Sequence, residues 1–387
     1  MLDREGEIHM SLGIADVREW QTVLDLKTGR KTDRTHPELN RLRQVLARHP
    51  YPGDLNAEGN RWVTDTALDL LKQHESEFVF LAYAQHYFCS RFVVLSQEEK
   101  AGLYAGVFRE IERFKRESGF QALVIGTGDL QPMKKGINLS RGFDGLGILS
   151  NWATHYAGMY GPSESDMEKL RHMEELERIV SRDEFLRDFG GTEADARKLP
   201  DYLLVARDGY CFQSSEKRKP VMIPAANVRI PFHADWAAKA QNIIDIREAV
   251  LQELRAGRKT ALIVVEGIGC EGFPKPYNTC RNGVNWFTYE LGETQYLAMS
   301  TGYHPIFTYP SGYRYYMEQG TGQPYPFSGY FKEMPQDTIG RAFGGPSAAV
   351  GNRSMYMHTT TGAEVSIECF ARNLNNQGCL GVIREEN

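Results

Sequence analysis

Apolar and polar positions along this chain follow two periods, and their order predicts the fold. The clearest stretch lies within Arg258 to Pro274, where Ala261 to Val265 is an unbroken apolar run between basic residues and glycines. A strand buried on both faces has this pattern. The preceding segment, Asp235 to Ala256, carries Trp236, Ala240, Ile243, Val250 and Leu254 on one broad face, with Gly257 after it. That spacing predicts a long amphipathic helix with a glycine C-cap.

The N-terminal half repeats the alternation. Val63–Lys72 reads as a helix capped by Thr64 or Asp65, with Ala67, Leu68 and Leu71 as its buried stripe. Phe78–Tyr83 reads as a buried strand that runs into Gln85-His86-Tyr87. Gln97–Ser118 carries Leu103, Val107, Ile111 and Phe114 at helical spacing and ends at Gly119. Ala122–Ile125 is a further strand, followed by Gly126-Thr127-Gly128-Asp129. Helix, strand, helix, strand predicts an α/β protein with a mostly parallel central sheet flanked by helices. In such sheets ligands bind at the C-terminal strand ends. Glu266 and Asp129 would therefore meet at one rim.

The remaining segments are read more simply. Residues 1–60 form an N-terminal arm or cap, with a short helix over Pro37–Arg48. Residues 136–163 are a long glycine-rich loop with a short helix near Ile148–Tyr156. Ser163–Phe189 is a charged helix, and Leu199–Ala206 a strand. Residues 213–220 are a solvated turn. The α/β core spans 61–284. From 285 to 387 the chain is rich in aromatic residues and glycine, with Trp286 to Phe331 the densest part. This portion completes the sheet through strands at Glu364–Phe370 and Gly378–Val382. Its aromatic side chains would wall a pocket for a flat organic ligand.

Composition narrows the function. The 387 residues include 41% hydrophobic and 25% charged positions, with a net charge of −5. No basic block dominates, so nucleic acid is not expected as a partner. No apolar run approaches the ~20 residues of a membrane span, so no membrane association is expected. The acidic start lacks a signal-peptide core, and the six cysteines form no C-x-x-C pair. Reduced thiols in a cytoplasmic protein are the expectation. The sequence leaves room for a homo-oligomer. G-x-G-x-x-G, Walker, H-E-x-x-H and G-x-S-x-G patterns are missing, which sets aside the classes they mark.

Two segments resemble the alkaline phosphatase and sulfatase superfamily. Ala261–Gly269 with Gly292-Glu293-Thr294 and Ser300-Thr301-Gly302-Tyr303-His304-Pro305 is similar to that family's opening strand, nucleophile and Thr-Gly-x-x-Pro turn. Val63–Asp129 is similar to its later portion. The two segments stand in the reverse of the family order, which implies a circular permutation. Glu266 stands where the family has Asp, and Leu130 follows Asp129 where the family has His. The resemblance implies metal-assisted hydrolysis or transfer on a small phosphate, phosphonate or sulfate ester. Thr294 would be the nucleophile. A divalent cation such as Zn, Mn or Fe would sit among Glu266, Asp129 and His86, with Asp235 added from the separate His233-Ala234-Asp235 reading. His304 or Arg353 would stabilise developing charge on an anionic or aromatic small-molecule substrate.

Separate readings stand beside this one. Phe232-His233-Ala234-Asp235 places an imidazole and a carboxylate before a helix, as an acid/base pair or metal ligands. Gly344–Ser347 with Gly351-Asn352-Arg353-Ser354 reads as a backbone anion nest with Arg353 as its charge. A non-catalytic α/β protein that binds a small ligand or builds an assembly is the reading from a different class.

Overall fold

A computed structural model of the chain describes residues 11–17, 20–26, 30–139, 141–148, 155–189, 196, 199–213, 220–225, 228–282, 293–304, 337–353, 357–369 and 378–385. The aromatic belt from Trp286 to Phe331 lies almost wholly outside them; Tyr296 and Tyr303 are within.

One sheet of eleven strands organises the chain. Its strands are β1 (Ser11–Val17), β2 (Trp20–Asp25), β3 (Arg30–Lys31), β4 (Phe78–Tyr83), β5 (Gln121–Gly126), β14 (Arg229–Ala234), β15 (Thr260–Val265), β16 (Asn278–Arg281), β17 (Ser347–Gly351), β18 (Val365–Cys369) and β19 (Gly378–Arg384). Their order across the sheet is β16-β14-β5-β15-β4-β17-β18-β19-β1-β2-β3. The centre, β5-β15-β4-β17-β18, is parallel. Both flanks are antiparallel. The sheet is therefore mixed, which corrects the expectation of a mostly parallel one. Short turns join β1 to β2 and β2 to β3, which parallel pairing forbids, whereas β5–β14 and β1–β19 pair segments far apart in the chain.

Helices cover both faces. β15 is buried at every position, as its unbroken apolar run requires. Side chains alternate by strand geometry. Val79, Leu81, Ile263 and Val265 pack with α1 (Pro37–Arg48), α2 (Gly59–Leu71) and α4 (Gln97–Ser118). Phe80, Ala82, Leu262 and Val264 pack with α7 (Ile246–Arg255), α8 (Glu293–Thr301), α9 (Ile339–Phe343) and α10 (Met357–Thr361). The short α3 (Gln85–Phe92) leaves the end of β4 directly. Strand β1, from the segment read as an arm or cap, pairs along β19.

Between β5 and β14 the chain builds a smaller unit that the sequence reading missed. It holds β6 (Leu130–Pro132), β7 (Lys135–Ile137), β8 (Leu146–Ile148), β9 (Tyr156–Tyr160), α5 (Glu164–Arg171), β10 (Leu176–Ser181), α6 (Arg182–Phe189), β11 (Tyr202–Ala206), β12 (Tyr210–Phe212) and β13 (Met222–Pro224). Strands β10-β11-β9-β8 form an antiparallel sheet over Met159, Leu170, Leu204 and Phe212.

Three helix expectations are corrected here. Ser163–Phe189 is α5, β10 and α6, because Leu176 and Val180 are drawn into cores over the small sheet. The expected helix at Ile148–Tyr156 has strand residues at both ends; 149–154 lie outside the described residues. The helix expected from Asp235 becomes α-helical only at Ile246, after one 3₁₀ turn. Asn242 there caps Ile244 N–H, and the Asp245 carboxylate accepts from Gln241 and Asn242 N–H. Local capping thus sets the start against the apolar periodicity. No described helix is long and apolar enough to cross a membrane, and none of the six cysteines is in a disulfide.

Candidate functional site at the C-terminal strand rim

The parallel register brings the ends of β5, β15, β4 and β17 to one rim. Val265 lies opposite both Tyr83 and Gly126, and Gly351 lies opposite Ala82. Each strand therefore releases its next residues side by side: Thr127, Glu266, Ala84 and Asn352. Thr127 N–H donates to Val265 O at 3.2 Å, and Glu266 N–H donates to Tyr83 O at 3.0 Å. The turn after Glu266 needs Gly267, which has φ +66° and packs against Tyr87.

Glu266 and Arg353 form the charged centre. Both are buried, at 2% and 5% exposure. Arg353 Nε lies 4.0 Å from Glu266 Oε1. The guanidinium carbon stands 4.6 Å from the Tyr87 ring centre and 5.2 Å from that of Phe88. Cation–π contact holds this cation in place in a site with little water. The Thr127 hydroxyl donates to Glu266 Oε2 at 3.4 Å and accepts from Gly267 N–H at 2.8 Å. Tyr296, in the first turn of α8, is fully buried next to this carboxylate. Burial first, and then the Glu266 charge, push its phenol well above its usual range. The neighbouring Gln295 amide donates to Thr127 O at 2.8 Å and to Asn282 at 2.9 Å. The start of α8 therefore abuts the rim, and it carries Thr294, buried at 2% exposure.

His86 is at the rim in a structural arrangement. Its Nε2–H donates to Glu266 O at 2.6 Å, and Nδ1 accepts from Asn60 at 3.2 Å. Burial lowers its pKa to about 4, although the bond to the Glu266 carbonyl opposes the shift. Both ring nitrogens are occupied, so His86 has no lone pair for a cation. Asp129 stands at the same rim as Glu266, in the loop after the adjacent strand β5. Its carboxylate accepts from Gly269 N–H at 2.9 Å and Glu271 N–H at 3.4 Å. It braces the loop after β15, and it approaches so closely that a side chain at residue 269 would collide with it.

Asp235 and His233 are elsewhere. His233 pairs with Val124, and Asp235 accepts from Ala122 N–H at 2.8 Å, which places both toward the start of β5. Asp235 also meets Lys115 at 2.8 Å. The strand direction thus separates this pair from the rim, and Asp235 serves the sheet edge and α4. Asp235→Ala should cost about 1–2 kcal/mol, the range for a lost charged hydrogen bond with its partner left behind. Urea unfolding measures this. Any ester-hydrolysing activity should be unchanged per folded molecule, and a loss of turnover would return the pair to the chemistry.

The expected metal set is not assembled by these positions. Asp235 is remote, His86 is saturated, and Asp129 holds backbone amides. Among the described residues no three His, Cys, Asp or Glu side chains are grouped as a metal would need. The donors described do not fit a divalent cation, so no step below runs through one. His304 follows the far end of α8 from Thr294. Burial, and then the charge of Arg281, lower its pKa. The expected nest is also not formed. Gly344 caps α9 in the left-handed region, before β17, whereas Arg353 follows β17.

The sequence reading passed over the polar residues that hold the rim. Asn352 accepts from Ala84 N–H at 2.7 Å and donates to Asn60 at 3.3 Å. Asn60 in turn accepts from Gln85 N–H at 3.2 Å. His358 and Glu368 form a further buried pair at 2.7 Å. Asn352 entered that reading only as part of the nest segment, and Asn60, His358 and Glu368 lie in no motif. Only their place one or two residues beyond a buried strand, as for Asn352, marks them in the sequence.

No protein-family profile matches the chain, and no curated protein matches it. Among solved structures it is similar to phosphonoacetate hydrolase from Sinorhizobium meliloti 1021. The complex with phosphonoacetate aligns with a TM-score of 0.34, and that with phosphonoformate with 0.33. In each, 16% of aligned residues are identical, and the alignment covers 46% of this chain and 49% of that chain. The match thus spans about half the length of the hydrolase, and so slight a likeness carries no argument about chemistry.

Proposed function

We propose that this protein is a hydrolase or transferase acting on a small phosphate, phosphonate or sulfate ester at the C-terminal rim of β5, β15, β4 and β17. The observation that supports this is the buried Glu266–Arg353 pair, set beside the first turn of α8. A guanidinium and a helix N-terminus both favour an anionic group, and together they suit charge that grows during transfer. Thr294 is the nucleophile in this reading. Its oxygen forms the bond to phosphorus or sulfur, and its proton passes to Glu266. The ester oxygen leaves with the alcohol and takes that proton from Glu266. A water then adds to the phosphorus or sulfur and gives its proton to Glu266, and the Thr294 oxygen leaves and takes that proton back, which releases the acid product and restores both groups.

The test is turnover of the full chain on a panel of phosphate, phosphonate and sulfate esters, with and without added divalent cations. Thr294→Ala should lower kcat by at least about a thousandfold, as loss of a covalent nucleophile does. Full activity in that variant removes Thr294 from the chemistry. No turnover on any ester by the wild type leaves the rim as a ligand-binding site in a non-catalytic α/β protein.

A further inference from the structure

A cavity of about 570 Å³ opens on the helical face of the sheet, between α2, α3 and α4. Its size falls in the range of roughly 300–1,000 Å³ typical of small-molecule sites. Two features show that the space is held open. The first is a pair of glycines one turn apart in the 22-residue helix α4. Both line the cavity. A side chain at Gly102 would meet nothing within 4 Å, and at Gly106 only the Arg109 guanidinium at 3.8 Å. Glycine within a helix is unfavourable, and here neither backbone angle nor close packing requires it. The second is the floor. Asn60 and Gln85 line it and are fixed by hydrogen bonds to each other and to His86 and Asn352. These amides are preorganised before anything binds.

The lining also states what would fit. Leu55, Leu95 and Leu103 supply an apolar wall. The carboxylates at the mouth are committed. Glu99 takes Ser96 N–H and its hydroxyl, Glu110 is held by Arg113, and Glu58 pairs with Arg61. Arg109 lines the same cavity and forms no ion pair among the described residues. One uncommitted cation above an apolar wall selects a molecule with one anionic end and an apolar body.

We propose that this cavity is a binding site for a small amphipathic carboxylic acid. The carboxylate meets Arg109, and the apolar body lies over Gly102 and Gly106 against Leu55 and Leu103. The site shares Asn60 and Gln85 with the framework of the rim but does not depend on the reaction proposed there.

Calorimetric titration of the full chain with octanoate tests this, with octanol as the uncharged control. Saturable one-to-one binding of octanoate, with octanol clearly weaker, is expected. Arg109→Gln should weaken octanoate about tenfold, the effect of one charged contact, and leave octanol unchanged. Gly106→Leu should abolish binding of both by filling the space, with helical circular dichroism and melting midpoint retained, since leucine is the better helix former. The absence of saturable octanoate binding overturns the proposal. So does undiminished binding in folded Gly106→Leu, or equal affinity for octanol and octanoate.

Discussion

Arg353→Met should be among the most destabilising single substitutions in this protein, by about 3–5 kcal/mol, the cost of stranding one partner of a buried ion pair. Arg353 and Glu266 are almost fully enclosed and 4.0 Å apart. With the guanidinium gone, the Glu266 carboxylate keeps its desolvation without the opposing charge. The contacts of Arg353 with Tyr87 and Phe88 are lost as well. Methionine retains most of the volume, so cavity formation contributes little. Combining it with Glu266→Gln should recover at least about 1 kcal/mol, since coupled neighbours depart from additivity by that order. Urea denaturation of the wild type, both single variants and the double variant measures the coupling. A single-variant change within about 0.5 kcal/mol, the usual size for surface positions, would mean that the two charges do not depend on each other.

His86 should make the folded state lose stability as the medium turns mildly acidic. Its pKa is about 4 in the fold, against 6.5 for the free side chain. Between those values the unfolded chain binds a proton that the folded chain refuses. The contribution of the neutral imidazole is complete above pH 6.5 and is lost as pH falls toward 4. The full difference is about 3 kcal/mol, from about 1.4 kcal/mol for each pKa unit. His155, also lowered by burial, acts in the same direction. In His86→Gln the slope of unfolding free energy against pH over this window should fall by up to one proton. The variant should also start lower at pH 7.5, because Asn60 and the Glu266 carbonyl lose a fitted partner. An unchanged slope would show that His86 titrates normally and is not enclosed.

How far the sequence reveals this molecule depends on what sets each element. Unbroken apolar runs with both faces covered are legible, so β4, β5 and β15 were found within a residue of their observed limits. α4 was equally clear, because its stripe and Gly119 agree. The insertion between β5 and β14 was not legible. Its strands are short, and its charged residues read as helix until Leu176 and Val180 are claimed by distant partners. The sheet's antiparallel flanks depend on pairings such as β1 with β19, which no local pattern specifies. At the rim, Glu266 and Asp129 were recognisable as the residues that follow buried strands. Their hydrogen-bonding duties were not, because a carboxylate that braces an amide and one that awaits a ligand look alike in a sequence. Asp235 shows the same ambiguity, since its spacing from His233 suggested chemistry while Lys115 and the Ala122 amide claim it.

The pairing of Ser11 with Arg384 has a temporal consequence. β1 is made long before β19, the neighbour it pairs along. Until β19 is made, β1 has only its hairpin partner β2, and nothing links the N-terminal strands to β18. Contacts of such long sequence separation are the slowest to form and leave exposed strand edges open to wrong partners meanwhile. Chaperone dependence during biogenesis should therefore track the completion of β19 more than the assembly of the central strands.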